Sequence, residues 1–241
     1  CGLHRLCPGD HGYTEADERA CNGTFEALWL AGFGNSRPMQ GVADAIWVRA
    51  TVFEQGNTSI GVVSVDLVGW FYDEVLTVRE LAAAELGLDH VIVSSTHVHE
   101  APDTLGQWGP NIARSGVNPQ FLAQIHLAVQ DGLRQAQTDA VPAEVYGGSF
   151  RMTEDLWGAS GVNNVNRDRR DPNITDETIW TARFTVAGTN ETIATWVNVA
   201  NHPEASGDEN VLLTSDFAHT LRRTVEDGAE LGPNGPKEPL G

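Results

Sequence analysis

The sequence predicts an α/β fold, a mixed β-sheet flanked by helices in a single domain, and three observations carry that prediction. Apolar stretches of strand period and of helix period interleave along the chain. Two of the expected strands run straight into polar loops that hold histidine, and strand exits are where α/β sheets present functional side chains. A hydrophobic fraction of 41% in 241 residues is enough for one large core.

Residues 1–25 mix Gly, Pro, charges and all three cysteines without a sustained period, which predicts an N-terminal arm. Over 47–53 apolar residues alternate, and 60–67 is nearly all apolar. The Gln55-Gly56-Asn57 turn between them predicts a hairpin whose second strand is buried on both faces. A helix over 72–86 follows, with Val75, Val78, Leu81 and Ala82 along one side. Residues 91–93 form a short buried strand leading into Ser94-Ser95-Thr96-His97.

Asn118 as cap and Pro119 at the first helical position start the next helix, with Phe121, Leu122, Ile125, Val129 and Leu133 on one face. Strands are expected over 143–152 and 179–186, and Gly188-Thr189-Asn190 turns the chain back into a strand over 192–200. A last helix starts near Ser215, with Phe217, Leu221 and Val225 four apart. The Gly- and Pro-rich stretch 229–241 reads as a linker or a loop cut short, so the domain is expected over 26–228.

Charge narrows the function classes. Acidic residues number 33 against 15 basic ones, a formal charge of −18, which excludes binding along a nucleic-acid backbone or an anionic membrane surface. No stretch approaches the roughly 18–20 apolar residues of a transmembrane helix. The chain opens at Cys1 without Met or an apolar leader, so an earlier start is expected to have been removed. Cys1 reads either as the lipid-modified first residue of a bacterial lipoprotein, leaving Cys7 and Cys21 to pair, or as a trimming point with ordinary thiols. The first reading places the protein outside the cytoplasm, secreted or at the cell surface or periplasm.

Chemistry concentrates in three places. Ser95-Thr96-His97-Val98-His99-Glu100 follows a buried strand, and two histidines two apart share one face if strand geometry persists. Such a pair suits either a metal, although two ligands do not close a site, or a structural role in which hydrogen bonds satisfy both rings. Asn201-His202-Pro203-Glu204 repeats the pattern at a second strand end, as a divided metal site requires. Asn166-Arg167-Asp168-Arg169-Arg170-Asp171 is dense in guanidinium, suited either to an oxyanion or carboxylate or to pairing with its own aspartates. His126 and His219 read as structural or exposed. No GxSxG elbow, phosphate loop or HExxH helix is present, and Gly32-Phe33-Gly34 reads as a flexible turn near the site rather than a dinucleotide fingerprint.

In these residues the chain resembles the neutral/alkaline, non-lysosomal ceramidases, particularly the N-terminal domain of the bacterial members. Ala31-Gly32-Phe33-Gly34 through Arg37 to Gly41-Val42-Ala43-Asp44 and Val48-Arg49-Ala50 resembles the opening block, and Val65-Asp66-Leu67 the second strand. Ser95-Thr96-His97-Val98-His99 with Pro102-Asp103-Thr104 is similar to the family's THTHSGP segment. Asn201-His202-Pro203-Glu204, Leu213-Thr214-Ser215-Asp216-Phe217 and Leu221-Arg222-Arg223 resemble its second histidine block.

The resemblance implies a zinc-dependent amidohydrolase that cleaves the amide bond of ceramide or a related N-acyl lipid by a metal-bound water. It implies His97 and His202 as zinc ligands, His99 as a proton donor or substrate contact, and Arg167 near the reacting carbonyl, with Arg169 or Arg170 as alternatives to it. Gly34, Arg37 and Asp103 are expected substrate contacts. Val98, Glu100 and Ala101 depart from the usual segment, and Ala43 stands where many bacterial relatives have His. The family's other two zinc ligands, a Glu and a Tyr, come from sequence beyond residue 241. Either the chain is a fragment of a longer enzyme, the preferred reading, or Glu100, Asp103 or Asp216 completes a different site. The alternative functions are a non-catalytic surface-anchored domain of the same fold and a metallohydrolase acting on a different amide or ester.

Overall fold

The structure, a computed structural model, describes residues 2–6, 28–153, 163, 166 and 168–228. The chain divides into two compact units, Cys1–Ala140 with Pro203–Leu221 and Val141–His202 with Arg222–Gly241.

The first unit is built on a four-stranded sheet in the order β1-β3-β4-β5, with β1 at Gly2–Leu6, β3 at Ile46–Gln55, β4 at Thr58–Val65 and β5 at His90–Ser95. Strand β3 is antiparallel to β1 and β4, whereas β4 and β5 are parallel, so the sheet is mixed as expected. Parallel neighbours need a crossover. It is supplied by α1, Tyr72–Leu86, which ends at Gly87 in the left-handed region, φ 67°. The β3–β4 hairpin closes with Gln55 opposite Thr58, and Gly56 takes φ 61° in the turn.

Helix α2, Pro119–Thr138, begins where the cap residues place it, the Asn118 side chain accepting from the N–H groups of Gln120 and Phe121. Phe121, Ile125, Val129 and Leu133 are buried and join Val78 and Ala82 of α1 and Val48, Val63 and Val65 of the sheet in one core. His126 Nε2 contacts Glu74 Oε2 at 2.6 Å and so ties α2 to α1.

Three expectations need correction. Strand β4 is buried on one face only, because α1 and α2 cover the side carrying Val63 and Val65 while Val62 and Ser64 stay half-exposed. Leu81 faces outward from α1. Within the expected arm, residues 2–6 form β1 and cover the outer edge of β3, which would otherwise present unpaired backbone groups.

A short parallel ladder joins β2, Gly41–Val42, to β9, Leu212–Leu213. Beside it the Asp44 carboxylate binds this second segment. Its Oδ1 accepts from Ser215 N–H at 2.8 Å and from Ser215 Oγ at 3.0 Å, and its Oδ2 from the Thr214 hydroxyl. The segment 203–216 is thereby fixed to the start of β3. The second unit carries an antiparallel sheet of β6, Ala143–Arg151, β7, Thr178–Val186, and β8, Thr192–Asn198. Helix α3 spans Phe217–Asp227, beginning just past Ser215. Among the described residues, no helix is long and apolar enough to cross a membrane.

Ser215 is fully buried, so removing its acceptor strands donors away from water. Asp44→Ala is expected to cost about 1–3 kcal/mol in urea unfolding, whereas an unchanged midpoint would show that the clamp contributes nothing.

Candidate metal centre

At Ser95 the chain leaves the sheet, and strand geometry does not persist to His99. His97 adopts φ 66°, unusual for a residue with a side chain, and its N–H bonds to Leu67 O at 3.0 Å. The turn, rather than strand alternation, brings the two histidines together, with ring centroids 4.9 Å apart and the rings nearly perpendicular. The His97 ring is fixed from behind because its Nδ1–H donates to the Val68 carbonyl. That hydrogen bond assigns the lone pair to Nε2.

His99 is buried, its ring centroid 4.8 Å from that of Phe33 in an edge-on arrangement. Gly32 lies directly under it at φ 93°, and a Cβ there would collide with the ring and backbone of His99. His99 Nδ1 contacts Glu204 Oε1 at 3.4 Å, and His99 Nε2 faces His97 Nε2 at 3.4 Å. His202 is peptide-bonded to buried Pro203, the first residue of the segment that Asp44 anchors. His97 and His99 belong to the first unit, and His202 belongs to the second.

This donor set fits a metal ion. Two imidazole nitrogens that face each other at this distance either share a proton, one donating to the other, or hold a cation between them. Two nitrogens bound to one tetrahedral zinc at about 2.0–2.1 Å stand about 3.4 Å apart, and His97 and His99 stand at 3.4 Å. The nearby acids are otherwise engaged. Asp103 is fully buried and accepts from the backbone N–H groups of Leu105, Gly106, Trp108 and Gly116. Asp216 accepts from those of Ala205, Ser206 and Phe217.

Glu100 is the exception, fully buried with neither carboxylate oxygen accepting a hydrogen bond from the described residues. Burial, reinforced by the charge of Asp216 and opposed by Arg37, pushes its pKa up to about 8.

The remaining expected site residues are placed as follows. Arg37 is buried and donates to Ala31 O at 2.9 Å, His99 O at 3.3 Å and Asn210 O at 2.7 Å, fastening three loops around the histidines. Gly34 borders open space. Arg167 lies outside the described residues. Of the alternatives to it, Arg170 pairs with Asp168 at 2.7 Å, the self-paired arrangement the sequence left open. His219 sits 3.5 Å from Asp44. Sequence reasoning missed three supports of the site. Gly32 was visible only as part of a turn, Glu204 only as part of a motif, and the Val68 carbonyl left no sequence signal at all.

Two outcomes follow from this geometry. Gly32→Ala adds about 1–3 kcal/mol of backbone strain and displaces His99, so both melting temperature and zinc affinity should fall. Gly34→Ala should leave stability unchanged, and equal effects at the two positions would contradict the packing. For Glu100, the unfolded carboxyl titrates near 4.5 and the folded one near 8. Between those values the unfolded chain has lost a proton that the folded chain retains, so stability declines as pH rises through the window and levels off above it. In metal-free protein, the stability advantage of Glu100→Gln should therefore grow from about pH 5 to about pH 8. A constant difference across that range would refute this.

No protein-family model and no curated protein matches the sequence. Solved structures do match. Neutral ceramidase from Pseudomonas aeruginosa superposes with a TM-score of 0.68 at 17% identity, over 96% of this chain and 36% of that one. A ceramidase described as complexed with C2 gives 0.68 at 18% identity, over 95% and 35%. The chain thus spans about a third of the length of these ceramidases. Across nearly all its length it has the fold of the part it overlies, an α/β arrangement of mixed sheets and helices.

Proposed function

We propose that this chain is the histidine-bearing part of a zinc-dependent amidohydrolase that cleaves the amide bond of ceramide or a related N-acyl lipid. One observation carries the reading. In a ceramidase-like fold, His97 and His99 bring their Nε2 atoms to 3.4 Å from each other. His97 and His202 would hold the ion, and His99 would serve as a proton donor or substrate contact. Zinc bound there supplies an activated water near neutral pH and a Lewis acid for the carbonyl.

The chain's own residues supply rigidity. Val68 O fixes the His97 ring, and Arg37 and Asp103 hold the loops that frame the histidines. Gly34 leaves open space where an acyl chain can approach, and Arg167 stabilises the oxyanion that develops on the amide. A second reading is a non-catalytic domain that retains the fold. A metallohydrolase of other amides or esters differs only in substrate.

The purified chain should bind about one zinc, as a single closed site takes one ion, and His97→Ala and His202→Ala should each lose it by elemental analysis. Fatty acid release from a short-acyl ceramide, set against N-acyl amino acids and esters, then identifies the substrate. Zinc bound without hydrolysis of any of them favours the non-catalytic reading. Hydrolysis that survives both histidine substitutions contradicts the metal mechanism.

A further inference from the structure

A long-chain N-acyl lipid resides in a bilayer, so a protein that cleaves it has to meet that surface. Three adjoining loops of the first unit form a surface suited to the contact. After β4 the chain passes Leu67, whose carbonyl accepts from His97 N–H at 3.0 Å, and reaches Phe71 and Tyr72, 51% and 61% exposed. The loop after β5 packs on it, the Thr104 hydroxyl donating to Gly69 O at 2.5 Å, and extends to Ile112, 94% exposed. This second loop is firmly built. Asp103 gathers four of its N–H groups, and the tip turns where Asn111 O accepts from Arg114 N–H at 3.1 Å. The third loop braces it, since Ser36 Oγ donates to Pro110 O at 2.6 Å and Asn35 accepts from Gly109 N–H at 3.0 Å.

Charge is distributed to match. From Thr104 to Gln130 the chain has no Asp or Glu, although it holds 33 in 241 residues, and Arg114 is the sole Arg or Lys there. An apolar tip free of acids enters a headgroup layer without carrying a carboxylate out of water. Beside Phe71, Glu74 is engaged by His126 at 2.6 Å. We propose that Ile112, with Phe71 and Tyr72, is an interfacial anchor that seats this end of the first unit on a zwitterionic phospholipid surface. The proposal rests on the N-acyl lipid reading above and names the partner of that site. A formal charge of −18 disfavours an anionic surface, which leaves the apolar contact to supply the binding. Tyr72 suits the headgroup level, its ring apolar and its hydroxyl accepting from Arg79 at 3.4 Å. A preformed tip also has little conformational freedom to lose on contact.

Flotation with phosphatidylcholine vesicles tests this without reference to activity. Wild type should float with the vesicles, and Ile112→Glu should bind at least about tenfold more weakly, as loss of one inserted aliphatic side chain implies. Ile112→Trp should bind at least as well as wild type. Val145→Glu, at a 60% exposed position on the sheet of the second unit, should bind like wild type. Ile112 is so exposed that its variants should melt with wild type and take up the same zinc. Adding phosphatidylglycerol to the vesicles should not strengthen binding. The anchor is overturned if wild type ignores phosphatidylcholine, if binding needs phosphatidylglycerol, or if Ile112→Glu binds no more weakly than Val145→Glu. Zinc uptake and hydrolysis of a short-acyl ceramide would then leave the amidohydrolase reading standing. Vesicle binding through Ile112 in a chain that takes up no zinc would instead keep the anchor and sink that reading.

Discussion

The close approach of His97 Nε2 to His99 Nε2, 3.4 Å apart, depends on contacts from several loops. Each ring is held from its far side, one by the Val68 carbonyl and the other by contact with Glu204. Much of the surrounding architecture maintains that approach. His97 occupies a left-handed conformation, Gly32 gives up its side chain to admit His99, and Arg37 fastens the carbonyls of three loops. Strain at a turn persists only where other contacts outweigh it, and such clusters mark functional sites.

Electrostatics point the same way. A chain of formal charge −18 draws cations to its surface. Around the histidines, however, most carboxylates are occupied by backbone N–H groups. Asp103 and Asp216 shape loops, Asp44 clamps the segment that carries Ser215, and Glu100 is driven toward its neutral form by burial. The imidazoles are therefore the donors left facing one point, and they are the ligand type that suits zinc.

Local signals in the sequence were read well. Helix α1 was legible from the spacing of Val75, Val78 and Ala82, and α2 from the Asn118-Pro119 start. Both histidine blocks stood at strand exits, so the candidate site could be located before its geometry was known. What escaped depends on partners distant in sequence. Strand β1 exists through pairing with β3, some forty-five residues on, and the one-sided burial of β4 follows from where two helices settle. The need for glycine at 32 comes from His99, and the reach of Asp44 spans 171 positions to Ser215. The His97 turn was hidden for another reason, because histidine, although enriched among left-handed residues, adopts that backbone too seldom to announce it.

X-ray absorption at the zinc edge on the zinc-loaded chain tests the central claim most directly, since it counts ligand types at the ion without regard to substrate. The account predicts at least two imidazole nitrogens at about 2.0–2.1 Å among light-atom ligands. A shell of oxygens with fewer than two imidazoles would contradict it.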